Sequence, residues 1–385
     1  MMTLRAWFDR GVLSLLSALA TTLITVDAFI NRKRMSHGNG IVARGRVKLV
    51  ADPSFPAHPF FSSGREFPCR LRHASVSLFD DAAHAARGTG LKFADTDYES
   101  PLDLLMNTGA TAPFYDAWTF VQFMYLTIRG RNPHAIPYMK KYPLAARGVQ
   151  ASLRRAPESF ARMSYYSKTP FRFDAEDGVA RYVKFRMLPE HDGPESGIPD
   201  AKSLQRPWEQ QSLPGETRSQ TYLKEEYQRR IEREGARYRL ELQLHEVEPN
   251  ENRQVVLNAS IAWDEETHPW YELATIEINE TLSFEEGNRS RFTPSNHPPT
   301  MGFIEPLSIH DPPSLDLLRK HGVWPRRARL LSYRLFGMPG EHSDVRADPS
   351  TIFHSDFMLP PPAPTLLPPN PSGPSQDGER SDPPR

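Results

Sequence analysis

A period-two alternation in the middle of the chain sets the strongest limit on its fold. Tyr238, Leu240, Leu242 and Leu244 alternate with Arg239, Glu241, Gln243 and His245. Successive side chains of a strand point to opposite faces, so this segment predicts a strand with one apolar and one polar face. Residues 74–79, 88–93, 179–187, 254–263 and 271–278 predict further strands. Two helices intervene, at 116–128 and at 221–234, the second charged and exposed. Many antiparallel strands with few helices between them predict an α+β chain built on an antiparallel barrel, not a wound parallel sheet.

The two ends read differently. Residues 11–26 carry no charge, but Ser14, Ser17, Thr21, Thr22 and Thr25 dilute the run and Asp27 interrupts it. The run falls short of the roughly 18 residues of a spanning helix. It predicts a helix over residues 1–30 that packs on the protein or docks to a membrane surface beside the basic Arg32, Lys33 and Arg34. The far end is Pro-rich from Pro360 onward. Proline removes backbone donors and blocks helix and sheet, so residues 346–385 predict a disordered tail and residues 31–345 one folded domain.

Charge and cysteine content exclude several function classes. Lys plus Arg and Asp plus Glu both total 47, so general attraction to nucleic acid is not expected. The single Cys69 can form neither an internal disulfide nor a Cys-based zinc site. There is no phosphate-binding Walker loop, no Gly-x-Ser-x-Gly elbow and no His-Glu-x-x-His, and the thirteen histidines show no compact ligand spacing.

Four strings, in order, carry more information. The first runs from Arg34 through Met35, Ser36 and His37 to Gly40 and Gly45. The second is Arg87-Gly88-Thr89-Gly90-Leu91-Lys92-Phe93, followed by Asp103-Leu104-Leu105-Met106-Asn107-Thr108. The third is Phe292-Thr293-Pro294-Ser295-Asn296, followed by Ile304-Glu305-Pro306. The fourth is Arg329-Leu330-Leu331-Ser332-Tyr333. In order and spacing they resemble the haem catalase superfamily, over about Arg34 to Gly337. The resemblance implies a catalase-like barrel with haem b buried at its side. It implies Tyr333 as the ligand of ferric iron, with Arg329 one helical turn earlier favouring the phenolate. Pairs of the same spacing, Arg162/Tyr166 and Arg218/Tyr222, read as surface side chains on a helix. On the opposite side of the haem, the resemblance implies His37 and Asn107. An imidazole can shuttle the peroxide proton near neutral pH, and an amide can hold the departing oxygen. Arg34 and Arg72 match propionate-pairing arginines, and Phe120 matches an aromatic packed on the porphyrin or in the ordinary core.

Departures point to one branch. Ser36 puts a hydroxyl before His37, and Asn107-Thr108-Gly109 follows the pattern of the allene oxide synthase-like relatives. Leu335 and Gly340 stand where catalases carry an Asp and a further propionate Arg. The resemblance is expected to end near the close of the barrel, short of the family's later helical and flavodoxin-like parts. The expectation is a catalase-related oxidoreductase that cleaves organic or lipid hydroperoxides, with Ser36 biasing His37 away from hydrogen peroxide dismutation; the departures remove the support the resemblance would give to fast dismutation and nicotinamide binding. A weak catalase and a non-catalytic haem sensor or scaffold are the alternatives. The expected partners are the hydroperoxide, a membrane touched peripherally through the N-terminal helix, and a second copy of the chain. The expected location is the cytoplasm, with membrane association.

Overall fold

The computed structural model describes residues 4–32, 34, 37–38, 40–76, 80–127, 132–190, 193–207, 215–316, 323–340 and 358–362. Eleven strands lie among them: β1 (Gly40–Leu49), β2 (Glu66–Ser75), β3 (Ala85–Lys92), β4 (Asp103–Thr108), β5 (Leu153–Arg154), β6 (Tyr165–Tyr166), β7 (Phe171–Asp174), β8 (Ala180–Pro189), β9 (Ala236–Glu246), β10 (Trp270–Thr281) and β11 (Met301–Gly302). Eight of them close a ring in the order β8-β6-β4-β3-β2-β1-β10-β9 and back to β8, every pair antiparallel. This is a closed eight-stranded barrel. β7 and β11 extend the sheet from the far end of β8.

Alternation decides what fills the barrel. Leu71, Leu91, Leu104, Met106, Val183, Phe185, Met187, Leu240, Leu242 and Ile276 all point inward and are buried. An eight-stranded ring is just wide enough for such side chains to fill it, so the interior is a packed core and not a pore. His73 also points inward, stacked on Phe160, and its Nε2 lies 3.0 Å from the Tyr238 hydroxyl. Functional groups must therefore sit on the outer face.

Seven helices of six residues or more lie among the described residues: α1 (Leu4–Ile30), α2 (Ala117–Thr127), α3 (Asn132–Lys141), α4 (Pro143–Ser152), α5 (Tyr222–Arg233), α6 (Phe284–Arg289) and α7 (Val323–Phe336). α6 begins with a capping box, in which the Ser283 hydroxyl accepts from the Glu286 N–H and the Glu286 carboxylate accepts from the Ser283 N–H. α1 lies along α7. Phe29 meets Phe336 edge-on at 6.0 Å, and Arg32 Nη1 donates to the carbonyls of Phe336 and Gly337 at 2.8 and 3.0 Å. A guanidinium at the last carbonyls of a helix satisfies acceptors that have no partner within the helix. Counted across Asp27, the stretch Gly11–Ile30 is long and apolar enough to cross a membrane by length and composition.

Three expectations from the sequence need correction. Residues 254–263 do not form a strand. The Asn252 side chain accepts from the Gln254 N–H and starts a single helical turn, Arg253–Val256. Leu257 and Trp263 are buried by packing against Tyr182, not by sheet pairing, and Val255 stays exposed. The strand expected over 74–79 ends at Ser75, and residues 77–79 lie outside the described residues. Within the expected tail of residues 346–385, Leu359 is buried beside Ile136 and Met139, and its N–H donates to the Gln205 carbonyl at 2.9 Å. Residues 363–385 lie outside the described residues.

Candidate functional site

One row of the barrel's outer face organises the site. The register sets Gly40 beside Ala74, Ala74 beside Gly88, and Gly88 beside Asn107. Three small side chains in a row leave the face open, and the fourth residue brings an amide. His37 leans onto this row, its Nε2 2.9 Å from Asn107 Oδ1. Gly88 is required at its place. A Cβ there would lie 2.5 Å from His37 Cδ2 and 2.7 Å from Nε2, well inside contact distance.

The His37 backbone is in the left-handed region, φ 56°, which is uncommon outside glycine. Arg72 stabilises it there, since its Nη2 donates to the carbonyls of His37 and Gly38 at 2.6 and 3.3 Å. Enclosure lowers the His37 pKa to about 4. Burial of the charged form is the main cause, and the Asn107 hydrogen bond only partly opposes it. The fields of Arg72, Arg34 and Lys168 push in the same direction as burial. The imidazole is thus neutral at pH 7, with one nitrogen donating and the other able to accept.

Tyr333 lies on α7, half-buried. The Arg329 guanidinium is buried and its Cζ is 5.6 Å from the centroid of the Tyr333 ring. It packs on the ring, and its Nη2 donates to the Asn288 carbonyl at 2.9 Å. That carbonyl belongs to the C-terminal end of α6. Arg34 reaches the same end, with Nη2 donating to the Ser290 carbonyl at 2.7 Å and to Gly287 at 3.5 Å. The carbonyl end of a helix is its negative pole and favours cations. α6 therefore joins the arm that carries His37 to the helix that carries Tyr333.

The strings identified in the sequence also meet below the site. Lys92 and Asp103 form an ion pair at 3.1 Å, both side chains fully buried. Asp103 Oδ2 also accepts from the Thr293 N–H and from Asn296 Nδ2, at 2.9 and 3.0 Å. The second and third strings are thus one buried network.

The other expectations divide. Ser36 lies outside the described residues. Phe120 packs edge-on against Phe114 at 4.9 Å, in a small cluster with Ala112, Ala259 and Leu315. That is the ordinary-core arrangement. Tyr166 and Tyr222 are not surface residues of a helix face. Tyr166 is on β6, and the buried Tyr222 donates its hydroxyl to the Pro157 carbonyl. The sequence reading missed the role of the α6 C-terminus, whose signal was the Ser283-x-x-Glu286 box followed by Gly287-Asn288.

The donor set fits a ferric haem. Among the described residues no three His, Cys, Asp or Glu side chains converge as a metal site. An iron held through one phenol would need a group that brings its own ligands, as a porphyrin does. Gly88 leaves the gap that His37 fills, and Arg34 and Arg72 beside it supply positive charge suited to propionates.

Barrel, His37–Asn107 pair and Tyr333–Arg329 pair together define a catalase-like protein. Residues 26–306 match the Catalase family model, and the chain belongs to that family. It is 36% identical over 305 residues to the allene oxide synthase-lipoxygenase protein of Plexaura homomalla, covering 77% of this chain and 28% of that protein. It is 27% identical over 263 residues to the linolenate 9R-lipoxygenase of Nostoc sp., covering 66% of this chain and 32% of that protein. The chain spans under a third of the length of each of these curated relatives. A fungal catalase superposes with TM-score 0.60 at 17% identity, over 84% of this chain and 66% of the other. Catalase A from Saccharomyces cerevisiae gives 0.59 at 17%, over 83% and 67%.

Proposed function

We propose that this chain is a haem enzyme that cleaves organic hydroperoxides, those of unsaturated fatty acids first among them. The observation that carries the reading is the neutral His37 imidazole held against Asn107 over the Gly88 gap. Tyr333 would hold the iron, Arg329 would favour its phenolate, and Arg34 and Arg72 would pair with propionates. When bound, the haem supplies the ferric iron that weakens the peroxide O–O bond. The chain's own contribution is proton handling. The accepting nitrogen of His37 takes the hydroperoxide proton and returns it to the outer oxygen, while the Asn107 side chain orients that oxygen as it departs. Burial keeps the imidazole neutral and so able to accept.

The relatives support a lipid substrate. Both are named for lipoxygenase activity, and a lipoxygenase converts an unsaturated fatty acid to its hydroperoxide. α1 supports peripheral delivery from a membrane, because Leu15, Leu19, Leu23, Val26 and Ile30 form an exposed apolar stripe at helical spacing. Carbonate should release the protein from membranes without detergent. Retention after carbonate would overturn the peripheral placement.

The deciding experiment is a panel of hydrogen peroxide, cumene hydroperoxide and a fatty-acid hydroperoxide, with turnover normalised to bound haem. The reading expects the fatty-acid hydroperoxide to give the highest kcat/KM. A preference for hydrogen peroxide would favour a weak catalase. No turnover at full haem occupancy would favour a sensor.

A further inference from the structure

Around the barrel from Asn107, the outer face carries polar groups that proton transfer at His37 does not use. The register sets Asn107 beside Tyr166 and Tyr166 beside Arg186, with Lys184 one inter-strand pair away beside Gln243. The loop through Ile261, Ala262 and Trp263 folds over this patch and leaves a cavity of about 20 Å³. That holds a water or the head of a small anion, and no more.

Lys168 and Lys184 both line the cavity, and they are only 7% and 5% exposed. Lys168 Nζ donates to the Thr108 carbonyl at 3.0 Å and to Ser152 Oγ at 2.7 Å. Lys184 Nζ donates to the Ile261 carbonyl at 3.1 Å and lies 4.4 Å from the Trp263 ring centroid. Neither amine has a described carboxylate within ion-pair distance. Glu265, on the rim, is largely exposed and pairs instead with Arg186 at 3.5 Å. Trp270 lines the same cavity, and its indole N–H is buried with no acceptor among the described residues.

Burying two cations without a counter-charge is costly, and such groups respond by losing protons. Burial lowers both lysines to about 7, with the field of Arg154 adding to the effect at Lys168. The other charged or titratable neighbours are Arg186, Glu265 and His268 around Lys184, and Tyr166 and His37 around Lys168. An acceptor anion would answer the two amines and the indole at once.

We propose that this cavity is an anion subsite that holds a carboxylate between Lys168, Lys184 and Trp270. Resting on the hydroperoxide reading above, the carboxylate is that of the fatty-acid substrate. Two strand spacings, about 10 Å, separate β4 with Asn107 from β8 with Lys184. A substrate anchored here would place its acid group and its reacting group at neighbouring positions on one barrel face.

The test is calorimetric binding of octanoate to the full-length holoprotein at pH 8, in two buffers of different ionisation enthalpy. Most of both amines are neutral at that pH. A bound carboxylate raises their pKa values, so binding should take up about one to two protons. Lys184→Met and Lys168→Met should each weaken binding about tenfold or more and remove part of the uptake. Trp270→Phe keeps the ring, removes the N–H and should weaken binding several-fold. Octanol should not compete. Acetate competing as well as octanoate would identify a site for free small anions and overturn the fatty-acid assignment. Binding without proton uptake, or binding indifferent to all three substitutions, would overturn the subsite. The readout needs no turnover. Octanoate binding with no hydroperoxide cleavage refutes the proposed function alone, and cleavage without such binding refutes the subsite alone.

Discussion

Gly88→Ala tests the site with one methyl group. The added Cβ would come to 2.5 Å from His37 Cδ2, 2.7 Å from Nε2 and 2.9 Å from Asn107 Oδ1. Non-bonded carbons settle at about 3.5–4.0 Å, so the imidazole must retreat by roughly 1 Å. The 2.9 Å hydrogen bond to Asn107 cannot survive that shift unchanged. Losing a neutral hydrogen bond costs about 1 kcal/mol, roughly tenfold in rate, and a misplacement of about 1 Å can cost roughly a hundredfold. The strand itself should not suffer, because alanine restricts the unfolded chain more than glycine does and β3 keeps its ladder to β2 and β4. The expected result is a kcat/KM for hydroperoxide about 10–100-fold lower per bound haem, with Tm within a few degrees of the parent. Parental turnover per haem in a folded Gly88→Ala protein would refute the placement of His37 over Gly88.

Three further outcomes follow from the same geometry. Tyr333→Phe keeps the ring that Arg329 packs on and removes its phenol oxygen, so haem content should fall or the visible spectrum change; an unaltered spectrum at full loading would dismiss Tyr333 as ligand. His37 has a native pKa near 4 against an unfolded value near 6.5, so the unfolded chain takes up its proton first; its contribution to stability is present above about 6.5 and is lost as pH falls toward 4. The acid limb of kcat/KM should accordingly lie near pH 4, and a limb at 6.5 would show an exposed imidazole. Lys92→Met leaves Asp103 buried without its cation and should cost about 3–5 kcal/mol in denaturant melts, whereas Lys92→Met with Asp103→Asn should recover part of that loss; a loss under about 1 kcal/mol in the single variant would contradict the burial of the pair.

The barrel was legible because its evidence is local. β8 and β9 repeat apolar and polar residues at period two and pair along nearly their whole length, and β10 keeps the period between its two register shifts, at Leu273 and Asn279. β1 was harder to see, because exposed and buried residues alternate cleanly only over its last four residues, Arg46 to Leu49. The error at residues 254–263 has the opposite cause. Val255, Val256 and Leu257 look like a strand, but an Asn252 cap turns the chain, and tertiary packing buries Leu257 and Trp263. No short window contains that information. The lysine pair has the same difficulty, since Lys168 and Lys184 occupy polar positions of different segments and only closure of the ring brings them to one cavity.

The two halves of the candidate site present the same problem over a longer range. His37 and Tyr333 lie at opposite ends of the folded domain, and the sequence shows each only as a fragment with an arginine nearby. The arginines carry the connection. Arg34 precedes His37 by three residues, Arg329 precedes Tyr333 by four, and both donate to carbonyls at the end of α6. That end has acceptors to offer because every helix leaves its last carbonyls without intrahelical partners. α6 is placed by Ser283 and Glu286 at its start, and Ser290 at its close accepts from Arg70 at 2.8 Å through its hydroxyl. A six-residue helix thus fixes two arginines, and through them the proton-handling arm and the phenol helix. Such a helix contributes nothing to the chemistry, but the positions of His37 and Tyr333 relative to each other depend on it.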